Sequence, residues 1–184
     1  MRKINTKPQI AVSQCLLGDR VRYDAKIKRY PLIIGFINCH FNVISVCPEV
    51  EMGLGVPRPP IQLTSAQLNE SLSELRITGR DDPSIDISQT MHTFCKQRST
   101  ELNSIHGYIF KSKSPSCGIA NIPVFNPQNN IITTTRGVFV NAILQKYPLL
   151  PITDELHLLN EDQLNTDQCN MFLKKVKQFQ KKHA

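Results

Sequence analysis

The sequence predicts an α/β domain: a mostly parallel sheet with flanking helices, Rossmann-like in layout, closed by a C-terminal helix. Two observations carry this. Short apolar runs bounded by turn signals alternate with longer stretches whose apolar residues recur at helical spacing. The chain also has 184 residues, 40% of them hydrophobic and 20% charged, enough for one sizeable core in an ordinary soluble protein. We read 1–184 as a single domain, with 161–184 as the C-terminal helix.

Each element follows in order. The run QIAVS reads as a first strand. Pro31 opens a helical stretch, PLIIGFINCHF, with Leu32, Ile33, Phe36, Ile37 and His40 near one face. NVISV is a second strand, followed by a loop rich in proline at Pro57, Pro59 and Pro60. From Ile87 to Leu102 the apolar residues Ile87, Met91, Phe94, Cys95 and Leu102 keep a helical period. HGYIF is the next strand, and NPQNN at 126–130 is a turn. GVFVNAILQKY reads as a helix, followed by the short apolar PLLPI. The last helix carries a stripe of Leu164, Cys169, Phe172, Leu173, Val176 and Phe179. No internal repeat or low-complexity tract interrupts this order.

Composition narrows the function classes. No apolar run is long enough to span a bilayer, so no membrane partner is expected. The basic start MRKINTKPQI lacks a following apolar segment, so no secretory signal is expected and the cytoplasm is the default location. The formal net charge is +7, which favours anionic partners such as nucleic acid or nucleotides. One basic cluster is Arg20, Arg22, Lys26, Lys28 and Arg29. Another is the C-terminal run of Lys174, Lys175, Lys177, Lys181 and Lys182, which is either a solvated face or a contact surface.

Six cysteines without a secretory signal are core thiols, catalytic thiols or metal ligands, not a disulfide framework. No Cys-x-x-Cys pair occurs, which excludes zinc ribbons and thioredoxin-like motifs. Cys39, Cys95 and Cys169 fall inside helical patterns and read as core thiols. Cys15, Cys47 and Cys117 each lie just past a predicted strand. In a parallel sheet those strand ends share one rim, where ligands bind, so the three thiols can converge.

Three convergent thiolates make a metal or cluster site short of one protein ligand. Zinc in a three-ligand site keeps an open position. An iron–sulfur cube with three cysteines leaves one iron open as a Lewis acid. Glu49, two residues after Cys47, suits acid or base chemistry; the bland alternative is an ordinary loop carboxylate, as for Glu51. Ser112, Ser114 and Ser116 are hydroxyls beside Cys117, or simple turn formers. Arg58 in VPRPP is a solvated loop residue or an anion clamp. His40, His92, His106 and His157 show no ligand spacing and read as non-catalytic.

Together the segments SQCLLGDRVRYDA, SVCPEVEMGLGVPRPPIQL, GYIFKSKSPSCGIA and KYPLLPITDELHLLNEDQL resemble the thiouracil desulfidase family, over about Ile10 to Leu164 and in the family's order. The resemblance implies an oxygen-sensitive 4Fe–4S cluster held by Cys15, Cys47 and Cys117. It implies an enzyme that replaces the thiocarbonyl sulfur of a thiolated uracil with oxygen, without net redox change. It maps a catalytic glutamate onto Glu49 and a catalytic serine onto Ser114, with Ser116 as the rival. Arg22, Tyr23, Asp24 and Arg58 are expected to orient the base or a phosphate. Where many members have glycine after Arg-Tyr-Asp this chain has Ala25, and a left-handed turn there would be strained by its Cβ.

The expected substrate is a small thiolated nucleobase or nucleotide: thiouracil, thiouridine or its monophosphate. Two alternatives stand beside it. One is the same chemistry on 4-thiouridine in transfer RNA, as the longer relatives do it. The other is a zinc-dependent hydrolase or a non-catalytic iron–sulfur or nucleic-acid binding module.

Overall fold

The computed structural model describes residues 7–66, 71, 74–161 and 163–183. Most of the basic N-terminal start, residues 1–6, lies outside them.

Gln9–Ser13 forms β1, buried at four of its five positions. It runs directly into a short 3-10 turn, Gln14–Leu17, that stops at Gly18 with φ +93°. Helix α1 spans Pro31–His40, with Pro31 at its first turn, where a missing N–H costs no helical bond. Strand β2 is Asn42–Val46 and the single turn α2 is Pro48–Glu51. Then come β3 at Ile61–Thr64, β4 at Arg76–Gly79, α3 at Ser88–Glu101 and β5 at Tyr108–Phe110. Strands β6, Ile122–Phe125, and β7, Ile131–Thr135, follow, then α4 at Val138–Lys146. The C-terminal part holds β8 at Ile152–Asp154, α5 at Glu155–Leu158, β9 at Leu159–Asn160, β10 at Gln163–Leu164 and α6 at Thr166–Lys182.

The first sheet has the order β2-β1-β5-β8, and every pairing in it is parallel. The strands QIAVS, NVISV and YIF are therefore neighbours; QIAVS and YIF are buried runs, whereas NVISV is an edge strand buried only at Val46. Their carboxyl ends lie on one rim, with Ser13 paired to Val46 and Phe110 to Asp154.

A second sheet, β4-β3-β6-β7, was not foreseen. It is mixed: β3 pairs parallel with β6, and both outer pairs are antiparallel. The expected turn at NPQNN is the connection of the β6–β7 hairpin, where Asn126 Oδ1 accepts the N–H groups of Gln128 and Asn130. PLLPI, read only as apolar, leads into the edge strand β8, which begins at its last residue, Ile152. The C-terminal helix begins at Thr166, later than expected, because β9 and β10 form a small antiparallel hairpin ahead of it.

Strand alternation divides the core between the two faces of the first sheet. Ile10, Val12 and Ile109 point to one side and pack against Ile33 and Ile37 of α1 and Phe172 and Val176 of α6. Ala11, Tyr108 and Phe110 point to the other, against Met91, Phe139 and the second sheet's Leu63, Ile77 and Val124. Cys95 and Cys169 are buried in these two clusters as expected, but Cys39 is exposed. It falls on the outward side of α1, where only Ile33, Phe36 and Ile37 are buried.

Candidate active site

A cavity of about 520 Å³ opens over the carboxyl rim of the parallel sheet. Strand ends and the loops that leave them form one wall. Ile61 and Gln62 of β3 with Ile122, Pro123 and Phe125 of β6 form the facing wall. Cys15, Cys47 and Cys117 all line it, as do Glu49, Ser114, Arg22, Tyr23 and Arg58.

Local structure explains each placement. Cys15 sits in the 3-10 turn that follows β1 without a linker. Cys47 precedes α2, and its N–H donates to Glu51 Oε1 at 2.9 Å. Arg98 of α3 holds the same carboxylate at 2.8 Å, so Glu51 is a structural partner of Cys47. The serine turn is anchored by the start of α4: Val138 N–H donates to Pro115 O at 3.1 Å and Phe139 N–H to Ser116 O at 3.0 Å. Gly137 makes this approach possible, since a Cβ there would lie 2.4 Å from the Ser116 carbonyl oxygen. Gly118 is required for packing, because a Cβ there would run into the Ile122 side chain.

Burial dominates the electrostatics of the thiols. It pushes Cys15 up to about 12, opposed by the Lys111 ammonium and reinforced by Cys47. Burial also raises Cys47, and it raises Cys117 well above the usual thiol range, with Glu49, Cys47 and Cys15 adding to the effect. Cys15 and Cys117 feel the charge of the neighbouring thiols, and burial favours the neutral form of all three. Among the described residues no three His, Cys, Asp or Glu side chains close on one point as a single metal ion requires.

Glu49 is tightly held. Arg58 donates to Oε2 from Nε at 2.9 Å and from its terminal nitrogen at 2.7 Å, and Ser116 Oγ donates to Oε1 at 2.9 Å. Arg58 also donates to Gly55 O at 3.2 Å, so this guanidinium, buried together with Glu49, orients the carboxylate. The two serines divide their roles. Ser116 is fully buried behind Glu49. Ser114 lines the cavity, and its Oγ accepts the N–H groups of Ser116 and Cys117 at 3.2 and 3.1 Å.

Arg22 and Tyr23 line the cavity, but Asp24 does not. Asp24 Oδ1 accepts Arg22 Nε at 3.2 Å and the Lys26 N–H at 3.1 Å, holding the loop around Ala25. Ala25 adopts φ +54°, the left-handed conformation expected at the glycine position it replaces.

Sequence reasoning passed over a buried ion pair on the rim. Lys111 Nζ pairs with Glu155, whose other oxygen accepts the Ser112 N–H at 2.9 Å. The Ser112 hydroxyl also donates to this carboxylate, at 2.5 Å. Burial pushes Glu155 up, yet Lys111 and Ser112 outweigh it and leave the carboxyl below its usual value. Glu155 immediately follows β8, so the strand-end rule that found the cysteines reaches it once Ile152–Asp154 is recognised as a strand. Ser13 and Gln62 also line the cavity unannounced. None of the four histidines read as non-catalytic lines it.

Comparisons with known proteins bear on the family and the fold. No curated protein sequence matches the chain. A solved structure described as a [4Fe-4S]-dependent thiouracil desulfidase, TudS, superposes with a TM-score of 0.56 at 24% identity, over 83% of this chain and 93% of that one. That likeness shows the α/β fold. The 2-thiouracil desulfurase family profile matches residues 10–155, a span that runs from β1 to Glu155 and holds all three cavity cysteines, Glu49 and the serine turn. The chain therefore belongs to the 2-thiouracil desulfurase family and is an enzyme of that class.

Proposed function

We propose that the protein removes the thiocarbonyl sulfur of a small thiolated uracil, replacing it with oxygen, and does so with a 4Fe–4S cluster held by Cys15, Cys47 and Cys117. The observation that carries this reading is the meeting of three free thiols from separate chain segments with Glu49 and Ser114 in one cavity. The donor set suits a cube better than a lone zinc ion. Each thiolate of a cube takes its own iron, so thiols set around a cavity fit it, whereas zinc needs ligands closed on one point. A cube with three protein ligands supplies an open iron, a Lewis acid for the thiocarbonyl sulfur.

The chain's own residues do the rest. Glu49, fixed by Arg58 and Ser116, keeps a free lone pair on Oε1, where Ser116 fills only one of two acceptor sites, and takes a proton from water at the ring carbon. Ser114 Oγ already accepts two N–H groups, so its own proton points away from the turn and donates to the substrate. Tyr23 and Phe125 give flat apolar surface for a pyrimidine ring. The cavity volume falls in the range of small-molecule sites, which supports a free base or nucleotide as substrate over a base in transfer RNA.

The test is an anaerobic assay with three substrates: 2-thiouracil, 4-thiouridine monophosphate and bulk thiolated transfer RNA. The expected protein is brown, bleaches in air, and releases sulfide from one of the first two. Colourless protein with stoichiometric zinc, or turnover of transfer RNA alone, would overturn the reading.

A further inference from the structure

Tyr108 poses a question that the catalytic residues do not answer. Its side chain is fully buried. The ring stacks on Phe110, with 3.6 Å between centroids and 2° between planes, and meets Phe139 edge-on at 6.1 Å. It is held where it stands. Yet its hydroxyl oxygen has no hydrogen-bond partner of ordinary geometry among the described residues. Buried hydroxyls are almost always bonded, and each exception calls for a reason. Phenylalanine would fill the same space at no such cost.

The surroundings of that hydroxyl supply the reason. Ala11 pairs with Tyr108 across β1 and β5, so Ser13, two residues on, shares their face of the sheet. Ser13 is buried at the strand end, lines the cavity, and its Oγ accepts the Lys111 N–H at 2.9 Å. Ser13 thus stands on the sheet face that carries the Tyr108 ring, and it lines the same cavity as Cys117.

We infer that Tyr108 and Ser13 form a hydrogen-bond relay to the Cys117 sulfur, closed when that sulfur carries ligand charge. The phenol donates to Ser13 Oγ, and the Ser13 hydroxyl donates to the sulfur. The valences balance. Ser13 Oγ has two acceptor sites, one filled by the Lys111 N–H and one open to the phenol, and a single proton to give. A neutral thiol is a weak acceptor and leaves the relay slack, while a thiolate draws it closed. Both residues act through Cys117 and are positioning residues. The inference rests on the cluster reading above.

Hydrogen bonds to cluster sulfurs help set the reduction potential; a donor favours the more negative, reduced state. The test is a dye-mediated titration of anaerobically loaded protein, followed by the electron-spin signal of the reduced cluster. Tyr108→Phe and Ser13→Ala should both lower the midpoint potential, Ser13→Ala further. The double variant should match Ser13→Ala alone, since the phenol acts through the serine. Unloaded Tyr108→Phe should melt no earlier than the unsubstituted protein, because no bond is lost there. An unmoved potential in loaded Tyr108→Phe overturns the relay, as does early melting of the unloaded variant, which would reveal a structural partner. If the unsubstituted protein takes up no cluster, the cluster reading falls and the relay with it. If Ser13→Ala does not fold, Tyr108→Phe alone decides.

Discussion

Glu49 has both carboxylate oxygens engaged, one by Arg58 and one by Ser116, and still faces the cavity. Glu49→Gln keeps the shape and removes the base, so turnover should fall by about 10²–10⁴-fold while iron content stays unchanged; steady-state sulfide release beside an iron assay checks both. Ala25 shows the opposite kind of departure, from backbone preference. Its φ of +54° suits glycine, and Ala25→Gly should raise stability by about 0.5–1 kcal/mol, visible as a higher midpoint in denaturant unfolding. The cysteine triad was legible because strand-end position is a local property of the sequence. The pairing of Arg58 with Glu49, and the separate duties of Ser114 and Ser116, were not. They depend on which way a constrained loop and a tight turn aim their side chains.

Helix α4 does more than cover the sheet, because its first N–H groups hold the turn that carries Cys117. Gly137→Ala would drive a Cβ into the Ser116 carbonyl. The expected result is a lower iron-to-protein ratio after anaerobic loading, with helical circular dichroism unchanged. At the start of α3, Asp86 accepts the Ser88 N–H and hydroxyl and, through its other oxygen, Arg76 of β4. The Ser88 hydroxyl and N–H, then the Arg76 guanidinium, hold the Asp86 carboxyl down at about 2, below the usual 3.8. Its folded value is depressed, so its contribution to stability is full above about pH 4 and is lost as pH falls toward 2. Melting temperatures of the protein and of Asp86→Asn should differ at pH 5 and converge near pH 2. The elements of the second sheet escaped sequence reasoning for a physical reason. Strands β3, β4 and β6 have four residues each, and β7 is threonine-rich and mostly exposed. Runs this short carry no clear local period, and the pairing of β3 with β6, which joins the two hairpins into one sheet, links segments far apart in the chain.

At the scale of the whole molecule, one parallel sheet supplies the thiols and a second, mixed sheet supplies the facing wall of the cavity. Three strands of the parallel sheet could be read from their short apolar runs, and the rim rule then led to the site. The cavity itself could not be read, because its facing wall, Ile61, Gln62, Ile122, Pro123 and Phe125, comes from the unforeseen sheet. Net charge bears on substrate choice here. The lysines of α6 are exposed on the last helix, and none of them lines the cavity. Turnover of neutral 2-thiouracil should therefore be flat with ionic strength and unaffected by Lys174→Glu with Lys181→Glu, whereas binding of any RNA should weaken steeply with salt. Activity measured from low to moderate salt separates these outcomes.

The order of the three thiols along the chain has a consequence for biogenesis. During synthesis Cys15 and Cys47 emerge long before Cys117, and the facing wall from β6 emerges later still. A ligand that bridges all three thiols can thus be captured only once most of the chain has been made and the sheet has closed. On the cluster reading, cofactor delivery would be a finishing step that acts on a nearly native molecule, and uptake would clamp together segments that no disulfide joins.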